Sequence, residues 1–123
     1  MWLFTRYGFY SIACAQKQEG SIDPALLMIR SRLRSHLENL QARFPALAGR
    51  EVVRLRGHDY RWRMFVPKDQ WLPVLGELGR EQEWSNFKHE SEKYQGPRGS
   101  RYVDALHDVW RIMNDLQRTE AEA

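Results

Sequence analysis

The sequence predicts an α+β fold: a three-stranded antiparallel sheet with three to four helices stacked mainly on one of its faces. Three observations carry that prediction. An aromatic-rich run opens the chain, a long stretch with apolar residues at three- and four-residue steps follows it, and two alternating segments then flank a glycine turn. With 123 residues and 42% hydrophobic content there is material for one core, so a single domain over 1–118 and a frayed tail over 119–123 are expected.

Residues 2–15 are rich in Trp, Phe, Tyr and Leu and read as the first strand, with Gly8 marking a bulge or a close backbone approach. The polar stretch 16–21 breaks the pattern, and Asp23-Pro24 then has the chemistry of a helix start. Leu26, Ile29, Leu33, Leu37, Leu40 and Phe44 recur with helical period, which predicts one helix of about five turns closed by Pro45, with Arg30 and Arg34 paired on its exposed side. Segments 51–55 and 60–66 alternate around Arg56-Gly57-His58-Asp59, the composition of a hairpin turn. In the second of these strands Tyr60, Trp62, Met64 and Val66 share one face and Arg61, Arg63 and Phe65 the other, because successive side chains point oppositely. Trp71, Val74, Leu75 and Leu78 predict a short helix despite Pro73, and Trp84, Phe87 and Tyr94 mark a further short helix or ordered loop. Ser100 is placed to cap a last helix, whose buried stripe would be Val103, Leu106, Trp110, Met113 and Leu116.

A strand, a long helix and a hairpin in that order resemble the split βαβ of ferredoxin-like domains, where the first strand lies beside the third and the crossover is right-handed. With the helices on one side, the other side of the sheet stays open. Its expected occupants are Arg61, Arg63 and Phe65 from the last strand and Arg54 with Val52 from the one before. Arg6, with Phe4 or Tyr7, would lie next to them from the first strand.

The charge distribution gives that face a chemistry. Residues 1–66 hold eleven Lys or Arg against five Asp or Glu, and fifteen of the nineteen basic residues of the chain are Arg. Arginine suits bidentate phosphate contacts and stacking on rings. The same surplus also permits pairing with the acidic second half, or reflects no more than a GC-rich genome. Single-stranded nucleic acid is held by aromatic rings under its bases and arginines on its phosphates. Arg6, Tyr7, Arg54, Arg61, Arg63 and Phe65 are therefore candidate nucleic-acid contacts. The layout is analogous to that of RNA recognition motifs, an analogy of layout without kinship. A second basic cluster, residues 93–102, leads into the last helix, and Arg98 with Arg101 would reinforce free backbone amides there as an anion site.

Catalytic signals are sparse. His58-Asp59 in the hairpin turn could act as acid or base beside an arginine, and His107 lies between Asp104, Asp108 and Arg111 on one polar helix face. No His, Asp or Glu spacing implies a metal, no cofactor motif is present, and the single Cys14 permits neither an intramolecular disulfide nor a thiolate cluster, which suits a reducing cytoplasmic setting. The opening apolar run is interrupted by Arg6 and is too short to span a bilayer, so no membrane association is expected. A binding module for RNA or single-stranded DNA is the leading reading, ahead of an enzyme. The alternatives are a protein-interaction or homodimerisation module, in which the open face or the first strand is buried by a partner, and a small metal-independent ribonuclease centred on His58.

Overall fold

The computed structural model describes residues 1–120, and its contacts separate two compact units, residues 1–83 and the chain from Trp84 onward. The first unit runs β1 (Trp2–Thr5), β2 (Gly8–Gln16), β3 (Ile22–Ser31), α1 (Arg34–Arg43), a 3₁₀ turn (Pro45–Leu47), β4 (Val53–Arg54), β5 (Trp62–Pro67) and α2 (Lys68–Arg80). Its sheet is antiparallel throughout, with five strands in the order β1-β2-β3-β5-β4. The class is the expected α+β, but the three-stranded split βαβ is corrected. The first three strands form a meander, and β1 pairs only with β2.

Two local causes account for the extra strands. The opening run divides at a two-residue loop, Arg6-Tyr7, because Thr5 and Gly8 are register partners. The Thr5 hydroxyl clamps that loop: Oγ1 accepts from the amides of Tyr7 (3.1 Å) and Gly8 (3.2 Å) and donates to the Gly8 carbonyl (3.0 Å). Gly8 is thus the exit of a hairpin and not a bulge; the irregularity in register falls between Cys14 and Ala15. Gly8 is required by close approach, since a Cβ there would enter the space of the His36 ring.

The expected helix from Asp23 is likewise corrected. Residues 22–31 form β3, and only Arg34–Arg43 are helical. Leu27, Ile29 and Ser31 point into the core while Met28 and Arg30 point away, a period of two that the helical spacing of Leu26 and Ile29 conceals. β3 is hydrogen-bonded on both sides, to β2 and to β5, and a central strand with two ladders overrides the helical tendency of its leucines.

Both helices of the unit pack on one face. Leu37, Leu40, Phe44, Leu47, Trp71 and Val74 join Tyr7, Tyr10, Ile12, Leu27, Ile29, Met64 and Val66 in a single core. Pro73 sits within α2 on its exposed side. The β1–β2 loop is fastened to the helices: the Tyr7 hydroxyl donates to Glu81 Oε1 at 2.6 Å, and Arg6 and Arg43 pair with the same carboxylate at 3.5 and 3.0 Å.

The second unit holds α3 (Phe87–Gln95), a 3₁₀ turn (Pro97–Gly99) and α4 (Ser100–Gln117). Asn86, and not Ser85, caps α3 by accepting from the His89 amide at 3.0 Å. Ser100 is the first helical residue of α4 rather than its cap. Tyr102, Val103 and Leu106 are buried, whereas Trp110, Met113 and Leu116, expected in the same buried stripe, are exposed together with Ile112. Of the tail expected over 119–123, residues 121–123 lie outside the described residues. Thr119 and Glu120 continue in hydrogen-bonded turns.

Candidate functional site

The register assigns the sheet face opposite the helices residue by residue. Arg63 of β5 faces Arg30 of β3, which faces Ser11 of β2, which faces Trp2 of β1; in the adjoining row of the same face Phe65 faces Met28, which faces Ala13. Phe4 and Phe9, register partners on β1 and β2, complete it. The rings form a ladder. Phe4 stacks on Phe9 with centroids 4.5 Å apart, Trp2 meets Phe9 edge-on at 5.8 Å, and Phe9 lies 6.3 Å from the Tyr60 ring. Trp2 is 70% exposed and Phe65 38%.

Tyr60 is corrected. It precedes β5 and does not share the core face of Met64 and Val66; its buried ring lies on the open side, with the Arg30 guanidinium 5.0 Å and the Arg32 guanidinium 4.3 Å from its centroid. Arg32 also donates to the Asp59 carbonyl (3.0 Å) and Oδ1 (3.2 Å). Around Tyr60 the side chains of Gln16, Met28, Arg30, His58, Arg63 and Phe65 border an open depression of about 430 Å³.

Its two inner arginines are unequal. Arg30 is oriented by β2: Nη2 donates to Ser11 Oγ at 2.8 Å and Nε to the Ser11 carbonyl at 3.3 Å. Arg63, 7% exposed, has poorer partners. Nη1 points at the Met28 sulfur (3.3 Å), Nη2 reaches the Tyr60 carbonyl at 3.5 Å, and Nε is buried without an acceptor. Burial, and after it the Arg30 charge, pull the Arg63 pKa below an arginine's ordinary value. Among the described residues neither arginine has a carboxylate partner.

The expected contacts therefore separate. Arg63 and Phe65 lie together on the open face, and Arg61 is exposed just before β5. Arg54 lies on the other face, because Val53 rather than Arg54 is the register partner of Arg63. Its guanidinium stands 5.6 Å from the Trp62 ring, with Arg34 5.3 Å from the same ring. Tyr7 is buried in the core, where burial and then the hydrogen bond to Glu81 raise its pKa, and Arg6 is committed to Tyr7 and Glu81. Both lie in the β1–β2 loop, and β2 and β3 stand between β1 and β5, so neither neighbours Arg61 or Arg63.

Arg98 and Arg101 are exposed in the second unit, but the amides at the start of α4 are partly used. The Gly99 and Ser100 N–H groups donate to the Gly96 and Pro97 carbonyls of the preceding turn. His58 rims the depression, and among the described residues it has no carboxylate partner; Asp59 is engaged by Arg32. His107 Nδ1 lies 3.4 Å from Lys88 Nζ, and Asp108 pairs with Arg111 instead. Cys14 is a half-buried free thiol packed against the core. Among the described residues no three His, Cys, Asp or Glu side chains converge on a possible metal position, and no helix is long and apolar enough to cross a membrane.

Arg30 was not foreseeable as a site residue from the helical reading of 23–44, and the signal that finds it is the alternation Leu27, Ile29, Ser31 against Met28, Arg30. Ser11 and Tyr60 join it through strand pairing and ring contact, which no local pattern encodes. No family model, curated protein or solved structure matches the chain.

Proposed function

We propose that this protein binds single-stranded nucleic acid, RNA or single-stranded DNA, through the sheet face that carries Arg30, Tyr60, Arg63 and Phe65. One observation supports this most. Two register-opposed arginines without a carboxylate stand beside an aromatic ladder, on the face that α1 and α2 leave uncovered. Guanidinium groups supply phosphate contacts, and exposed rings such as Phe65 supply base stacking that tolerates any sequence.

The test is fluorescence anisotropy with a mixed-sequence single-stranded oligonucleotide across a salt series. With three phosphate contacts the affinity falls about twentyfold between roughly 50 and 200 mM salt, from a slope of about −0.7 per contact on single strands. Phe65→Ala weakens binding at least about fivefold, the lower end of one stacked base. No binding at the lowest salt, or binding indifferent to salt, refutes the proposal.

A second reading, self-association, is favoured by a different feature. Trp110, Ile112, Met113 and Leu116 of α4 are exposed, and surfaces of this kind commonly mark protein contacts. A concentration-dependent dimer in sedimentation, abolished by Met113→Glu, is its expected signature. A monomer at all concentrations rules it out.

A further inference from the structure

We infer that Arg30 and Arg63 form a clamp for one phosphate group, with Tyr60 as its wall and the bordering depression as its mouth. The inference rests on the sheet-face reading above and names the anion and the residues that hold it.

The argument begins with what the two guanidinium groups lack. Arginine carries five N–H donors and no acceptor. In Arg63 one donor nitrogen is buried without a partner, a second faces a thioether, which accepts weakly, and the third reaches a carbonyl only at 3.5 Å. Arg30 spends Nε and Nη2 on Ser11, and its Nη1 makes no hydrogen bond among the described residues. Because the two are register partners on adjacent antiparallel strands, their Cβ atoms stand about 5 Å apart. Two like charges are thus held side by side, one of them nine-tenths buried. Among the described residues the only carboxylate lining the depression, Asp59, is itself mostly exposed and bound to Arg32.

Such a pair is unfavourable in isolation. A phosphate anion at the mouth of the depression relieves the repulsion and accepts from Arg30 Nη1 and from the Arg63 Nη donors that lack strong acceptors. Phosphate fits both demands, with acceptor oxygens matched to the fork of a guanidinium. The positions of these donors are also set beforehand. Ser11 and the Tyr60 ring orient Arg30, and the Tyr60 carbonyl and Met28 hold Arg63, so little side-chain freedom is lost on binding. Phe65 at the edge of the depression is placed to meet the base of a nucleotide that adjoins that phosphate.

The experiment follows thermal unfolding in sodium phosphate and in sodium chloride of matched ionic strength, then anisotropy with the single-stranded oligonucleotide. It compares the wild type, Arg30→Gln, Arg63→Met and Arg56→Gln. Phosphate at about ten times its dissociation constant should raise the wild-type Tm by several degrees over chloride. Arg30→Gln and Arg63→Met should each abolish that shift, so either variant serves if the other fails to fold. Arg56→Gln, exposed and outside the clamp, should keep it. Equal Tm in phosphate and chloride overturns the inference, as does loss of the shift in Arg56→Gln. If Arg30→Gln and Arg63→Met bind the oligonucleotide as the wild type does, the sheet-face reading stands and the clamp falls. If phosphate shifts the Tm through both arginines while the oligonucleotide does not bind, the clamp stands and the strand-binding reading falls.

Discussion

Lowering the pH from about 7 to about 4.5 should remove about 2.5 kcal/mol of stability through a single side chain, His36. The residue lies in the first turn of α1 and is buried. Its Nδ1 accepts from the Phe9 amide at 3.2 Å, so that nitrogen carries no proton, and its ring fills the space left open at Gly8. Burial lowers its pKa from 6.5 to about 4. Between these two values the unfolded chain takes up a proton that the folded chain refuses. Stability is therefore complete above the unfolded pKa and declines by about 1.4 kcal/mol per pH unit as the pH falls towards 4. Most of that window has been crossed at pH 4.5. The assay is urea unfolding of the wild type and His36→Gln at both pH values, because the amide oxygen can still accept from Phe9 and every other titrating group is common to the two proteins. The wild type should lose about 2.5 kcal/mol more than the variant. Equal losses would show that His36 titrates alike in both states and would refute the reasoning.

Other perturbations test other parts of the structure. Gly8→Ala drives a methyl group into the His36 ring and should cost about 3 kcal/mol by urea unfolding, the upper end for overpacking. Glu81→Ala leaves the Tyr7 hydroxyl, Arg6 and Arg43 without their shared carboxylate and should cost about 2 kcal/mol, whereas Arg111→Ala, which breaks an exposed pair with Asp108, should stay within about 0.5 kcal/mol. Arg63→Met should raise stability by about 1 kcal/mol in phosphate-free buffer, since it removes a buried charge that lacks a counterion. A destabilised Arg63→Met that is nevertheless folded would mean that its present contacts satisfy the guanidinium.

Much of β5 was legible because its alternation has one meaning. Arg63 and Phe65 share the open face and Met64 and Val66 the core, as period two requires. The stripe Trp71 and Val74 of α2 was legible for the same reason with period 3.6. Residues 22–31 were not, because Leu26, Ile29 and Leu33 satisfy the helical step while Leu27, Ile29 and Ser31 satisfy the extended one. The division of the opening strand also escaped. Its loop carries no positive-φ residue at Arg6 or Tyr7 and is held instead by the Thr5 side chain, and it places a tyrosine in the core where turns usually expose polar residues. The same ambiguity hid half of the candidate site, since Arg30 on a helix would face solvent beside Arg34.

Local pattern determined the composition of the elements whose period is unambiguous, the basic character of the first half, and the presence of arginine and phenylalanine on one side of β5. Tertiary structure decided which strands are neighbours. That choice turns on ladder hydrogen bonds and burial shared between distant segments, which no local period encodes. It removed Arg6 and Tyr7 from the open face, turned Arg54 to the helix side, and set Arg30 against Arg63.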